Sequence, residues 1–176
     1  FPFMSINHSS KFTHAGMQIQ TLPISHDVAD PIGFRISIVD NNNLERDAIG
    51  FCTDTGYLSS EALKALRGCR ILGIEANHDV SLLDTGPYPI YLKERIKSNT
   101  GHLSNTQTAQ ALPLLISAET EDIVALHLSE KNNTSDLCLK ELGAAIGAKK
   151  SKANMAKVPN GKLAIYIASQ TIPLSL

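Results

Sequence analysis

Four short apolar runs in this chain stop on a side chain that can bind a metal or carry a proton. Ile24 leads to His26, Phe51 to Asp54, Ile74 to Glu75 and Leu126 to His127. Runs of that length are strand-sized and the stretches between them carry helix signals, so the pattern restricts the chain to layered α/β architecture. "MQIQTLPI" (17–24) and "IGFRISIV" (32–39) alternate as half-buried strands do, which makes the sheet a mixed one. "AIGFCTDTG", "RILGIE" and "DIVALHLS" read as further strands, and "VPNGKLAIYIAS" as a last one beside an Asn-Gly turn. "NNNLERD" and "DTGPYP" read as loops.

Helix ends are written in the capping residues. Ser59 or Ser60 opens a short helix that runs to Leu66 and stops at Gly68. "IYLKERIKS" ends at Asn99 to Gly101. Ser104 and Gln107 form a capping box for "NTQTAQALPLLIS", in which Pro113 is expected to kink the helix. Asn133 or Thr134 caps "SDLCLKELGAAIG".

With 176 residues and 43% hydrophobic content, one domain with a sizeable core is expected over 1–176. The 16 basic and 17 acidic side chains nearly cancel, so the total charge calls for no polyanionic partner. Local clusters remain: Lys93, Arg95 and Lys97, and Lys149, Lys150, Lys152 and Lys157, each read as a solvated face or as phosphate contacts. Three cysteines (Cys52, Cys69, Cys138) without Cys-x-x-Cys spacing favour neither a disulfide framework nor a zinc knuckle and point to a reducing, cytoplasmic setting. No apolar run is long enough for a membrane span.

Histidines and carboxylates at strand ends are held rigidly, as a metal site requires. The mixture suits zinc, manganese or iron, and a carboxylate can bridge two ions roughly 4 Å apart for phosphodiester hydrolysis. His102, two residues ahead of the Ser104 cap, is a fifth candidate. Taken singly, each has a structural reading as well: a turn-forming aspartate, a hydrogen-bonded histidine, a solvated glutamate. His78 sits in a loop between Asn77 and Asp79, placed either to cap a turn or to touch a substrate. With Asn77 and Ser104 it completes the candidate substrate contacts. His8 and His14 read as surface residues, and Cys52 as a small buried hydrophobe.

"ISHDVADPIGF", "TDTG", "EANHDV", "GPYPIYLKERI" running into "GHLSN", and "LHLSEKNN" together resemble the metallo-β-lactamase superfamily, in its WalJ/YycJ-type exonuclease branch, over residues 12 to about 170. That resemblance implies an αββα sandwich with a dinuclear zinc or manganese site at the sheet edge. It matches His26 and His127 to histidine ligands and Asp54 to the bridging aspartate. Glu75 and His102 look like the pair that related enzymes use around the leaving-group proton. The implied activity is release of nucleotides from the 5′ end of DNA.

The superfamily signature His-x-His-x-Asp-His is absent from the sequence, including "NHSSKFTHAG". The chain also begins at Phe1, with its first methionine at position 4. The expectation is therefore the C-terminal part of such an enzyme, lacking an N-terminal segment or a complementary chain. Two alternatives keep the same fold: a hydrolase of a small ester, lactone or thioester, and a non-catalytic fragment that needs a partner chain for its metal.

Overall fold

The computed structural model describes residues 5–169 and 174. The start at Phe1, on which the expectation of a missing N-terminal part rests, lies outside them. Among the described residues nine strands form one mixed sheet: β1 (Lys11–His14), β2 (Met17–Pro23), β3 (Ile32–Val39), β4 (Glu45–Cys52), β5 (Ile71–Glu75), β6 (Asp122–Leu126), β7 (Lys149–Lys152), β8 (Met155–Lys157) and β9 (Ala164–Ile167). Their order is β1-β2-β3-β4-β5-β6-β9-β8-β7. β1 to β4 form an antiparallel meander, β4, β5, β6 and β9 are parallel, and β8 and β7 return antiparallel.

This order explains why the apolar runs end in chemistry. β2, β4, β5 and β6 all run in one direction, so their carboxyl ends reach the same sheet edge, where open α/β sheets bind ligands. The register keeps the ends level, with Cys52 beside Ile74 and Glu75 beside Leu126.

Three helices, α1 (Ser60–Leu66), α4 (Asn105–Leu115) and α5 (Ser135–Ile146), pack on one sheet face around a core that includes Leu22, Leu72, Ile74, Ile123 and Ile165. Each fully buried aliphatic side chain of this kind contributes about 1.5–3 kcal/mol. Ser59, Ser104 and Thr134 cap these helices, Ser104 through the expected capping box, and Pro113 is accommodated inside α4. On the other face, Phe34 pairs with Phe51 and Ile36 with Ile49. Ile38, Ile49 and Phe51 stay 52%, 41% and 45% exposed there, uncovered by these helices.

Two readings are corrected. Only residues 41–43 of "NNNLERD" turn, because Glu45 to Asp47 are drawn into β4 by side-chain pairing: Glu45 with Arg35 and Ser37, Asp47 with Arg70. A helix absent from the sequence reading, α2 (Val80–Thr85), begins where Asp79 Oδ1 accepts from the Leu82 N–H. The terminal lysine cluster lies on the β7–β8 hairpin, three strand spacings or roughly 15 Å from β6. There the lysines protect an exposed sheet edge from pairing with another chain. The remaining helix, α3 (Ile90–Lys97), stands at the carboxyl edge beside His26, His102 and His127.

Candidate metal centre

Each loop beyond the carboxyl edge is braced by its neighbour. The Ser25 N–H donates to Thr55 Oγ1 at 3.0 Å, and the Gly56 N–H returns to the Ser25 carbonyl at 2.9 Å, which carries the His26 loop across β3 toward Asp54. Gly56 has to be glycine, since a Cβ there would lie 2.3 Å from the Asn99 carbonyl carbon. Gly101 is as confined, with a virtual Cβ 2.2 Å from the Ile96 carbonyl oxygen. These contacts press the loop that carries His102 onto the sheet edge.

Glu75 is the centre of the arrangement and is 0% exposed. Its Oε1 accepts from Nδ1 of His102 at 2.8 Å and from Nδ1 of His127 at 2.7 Å. Its Oε2 accepts the backbone N–H groups of Thr55 at 3.0 Å and Leu103 at 3.2 Å. Burial alone would push this carboxyl up, but the hydrogen bonds from His102, His127 and Thr55 outweigh it and hold the pKa near about 2. The charged form therefore persists in a dry site. The bond to Glu75 raises His127 above the usual imidazole range against a smaller effect of burial, and the Asp54 charge adds to it.

Around this pivot, Asp54 Oδ1 lies 3.5 Å from His127 Nδ1 and 4.0 Å from His26 Nε2. The His102 ring centroid is 5.0 Å from those of both His26 and His127. His26 Nδ1 donates to the carbonyls of Thr100 and Gly101 at 3.1 and 3.3 Å. In all three histidines Nδ1 carries the proton, which leaves the lone pair on Nε2. Ligand atoms of Asp54, Glu75, His102 and His127 all lie within 4.8 Å of one another. Asp54 and His127 also share a left-handed backbone, each with φ of 57°, a strained state for non-glycine residues that persists where packing over-determines it.

The structure thus brings together His26, Asp54, Glu75, His102 and His127. The three candidate substrate contacts are placed differently. Asn77 lines a cavity of about 310 Å³ beside His26, His102 and His127. Ser104 and His78 are 3% and 1% exposed and do not line it. The Ser104 hydroxyl is engaged by Gln107 in the α4 cap. Burial, with the nearby His102 charge, pushes His78 down to about 4, and its Nδ1 has no hydrogen-bond partner among the described residues. On α3, Arg95 is paired with Asp27 at 2.6 Å and Lys97 with Asp84 at 2.5 Å. Lys93 donates to the Asp84 carbonyl at 2.7 Å. These charges dock the helix onto the rest of the chain.

Sequence reasoning passed over a buried amide network. Asn105 and Asn133 exchange reciprocal hydrogen bonds of 2.9 Å, and Asn133 Nδ2 also reaches the carbonyls of Ala76 and Asn77. Asn77 Nδ2 donates to the His127 carbonyl at 2.9 Å. Together they fasten the loops of Glu75, His102 and His127. The available signal was an asparagine closing each of the strings "GHLSN" and "HLSEKNN".

No family model matches the chain. It is 34% identical to Exodeoxyribonuclease YycJ of Bacillus anthracis over 77% of this chain and 52% of that protein. It is 35% identical to Exodeoxyribonuclease WalJ of Streptococcus pneumoniae over 71% of this chain and 44% of that protein. The chain spans about half the length of the curated relatives it matches. The crystal structure of the metallo-beta-lactamase fold protein YhfI from Bacillus subtilis superposes with a TM-score of 0.59 at 15% identity, covering 94% of this chain and 52% of that one. With sequence relatives of the YycJ and WalJ type and a solved neighbour of this fold, the chain belongs to the metallo-β-lactamase superfamily, in its WalJ/YycJ-type branch.

Proposed function

We propose that the protein is a metal-dependent phosphodiesterase that removes nucleotides from the 5′ end of DNA. The observation that carries this reading is the Glu75 pivot, one buried carboxylate that orients two imidazoles beside Asp54 and an open cavity. His26, Asp54 and His127 offer two imidazole nitrogens and one carboxylate, a donor set that fits zinc or manganese with a position left open. Three donors suffice for one ion, so a second ion takes donors from outside this set. Bound there, a divalent metal supplies Lewis-acid activation of water and of the phosphoryl group.

The chain's own residues then divide the work. Glu75, ionised and with both oxygens occupied, is a positioning residue and not a proton donor. His102, held by Glu75 through Nδ1, has its Nε2 lone pair free to take a proton from the attacking water and then pass it to the leaving oxygen. Asn77 braces the His127 loop from the cavity wall. Three free, buried thiols support a cytoplasmic setting. Digestion of 5′-labelled duplex DNA with manganese or zinc tests the reading. Asp54→Ala and His127→Ala are each expected to abolish cleavage, and full activity in both would overturn it.

A second reading draws on exposed Ile38, Ile49 and Phe51: a partner surface covers that face and supplies the further metal donors. Near-stoichiometric metal in this chain alone, measured by elemental analysis, would argue against it. Turnover of small esters without nuclease activity would instead favour the ester, lactone or thioester alternative.

A further inference from the structure

Helix α3 inverts the usual amphipathic arrangement. None of its residues is buried. Its charged residues fasten it, through the Arg95 pair with Asp27 and the Lys93 and Lys97 contacts to Asp84. Leu92 and Ile96, four residues apart on the helix, and Tyr88, just ahead of its Pro89 cap, line the 310 Å³ cavity beside the three histidines. Apolar side chains normally pack on a core; here they line a space at the candidate reaction centre.

We infer that Tyr88, Leu92 and Ile96 form a nucleobase subsite, in which the base of the terminal nucleotide stacks on Tyr88 while its phosphate lies at the histidines. This deepens the phosphodiesterase reading and rests on it for the placement of the phosphate. A base is a flat apolar surface with polar edges. The cavity offers an apolar wall on α3 and, also in its lining, the polar side chains of Asn77, Ser129 and Glu130. Its volume is at the lower end of the roughly 300–1,000 Å³ of small-molecule sites, sized for a single nucleotide rather than a peptide helix. Tyr88 is set between Pro87 and Pro89. Pro89 has φ −59° and ψ 152°, and the residue before a proline is confined to extended backbone. The backbone that carries the ring is therefore restricted before any base stacks on it, so less backbone freedom is lost on binding.

The test is calorimetric binding of thymidine 5′-monophosphate and of deoxyribose 5-phosphate to the full chain, loaded with manganese, and to Tyr88→Ala, Tyr88→Phe and Tyr91→Ala. Tyr91 is 72% exposed and outside the cavity lining. The nucleotide is expected to bind more tightly than the sugar phosphate. Tyr88→Ala should remove about tenfold or more of nucleotide affinity, in line with the loss of one base–aromatic stack, and leave the sugar phosphate unchanged. Tyr88→Phe should restore the preference and Tyr91→Ala should keep it. Equal affinity for the two ligands in the unaltered chain, undetectable binding of both included, overturns the inference. So does an equal loss for both ligands in Tyr88→Ala. A Tyr88-dependent base preference without metal-dependent DNA cleavage supports the subsite and overturns the hydrolase reading. Cleavage with no change in KM in Tyr88→Ala does the reverse.

Discussion

Replacing Glu75 with glutamine keeps the side chain's shape and removes its charge. The carboxylate accepts four hydrogen bonds, two from imidazole Nδ1 atoms on Oε1 and two from backbone N–H groups on Oε2. An amide has one acceptor oxygen. If that oxygen stays with Thr55 and Leu103, the NH2 group faces His102 and His127, which must move their ring protons to Nε2. The atom needed for a metal or a proton donation then changes character in both rings. The magnitude follows from the pKa: a fall from 4.5 to about 2 means that the folded chain favours the ionised form by about 3 kcal/mol at neutral pH. For a chain of this length, that loss lowers the melting temperature by about 6–12 °C. Metal affinity should fall about 10- to 100-fold, as when an orienting partner behind a ligand is lost. Urea unfolding at pH 7 with chelator measures the first effect, and a zinc competition titration the second. An unchanged unfolding midpoint would refute the pivot, and unchanged zinc affinity alone would refute the tautomer argument.

The pH dependence has a defined sign. His78, held down at about 4, contributes stability that is full above 6.5 and is lost as pH falls toward 4; Glu75 contributes stability that is full above 4.5 and is lost toward 2. His127, raised, acts oppositely, contributing below 6.5 and losing that contribution as pH rises through its folded value. Urea midpoints of the metal-free chain should therefore rise as pH falls from about 8 toward 6.5, where His127 gains its contribution, and decline from there toward about pH 3, and His78→Gln should flatten that acid limb. Asn133→Ala strips partners from Asn105 and two backbone carbonyls and should cost about 2–3 kcal/mol in urea unfolding. Gly101→Ala forces a methyl group against the Ile96 and Arg95 carbonyls, displacing His102; cleavage should slow by roughly 100-fold in a single-turnover assay for a shift near 1 Å.

Much of this protein is legible in its local sequence. The alternation in residues 17–24 and 32–39 marks β2 and β3, and Ser59, Ser104 and Thr134 announce α1, α4 and α5, because periodicity and capping act within one turn or one pleat. The strand-end histidines and carboxylates are visible for the same reason. Tertiary structure alone decides that Glu75 serves both His102 and His127, across 27 and 52 positions, and that His26 reaches the Gly101 carbonyl across 75. It also decides that the cations of α3 are spent on Asp27 and Asp84, and that β9 lies between β6 and β8. A side chain's role at a site depends on which atoms meet its polar groups when water is excluded, and those atoms arrive from strands whose order in the sheet no short stretch encodes.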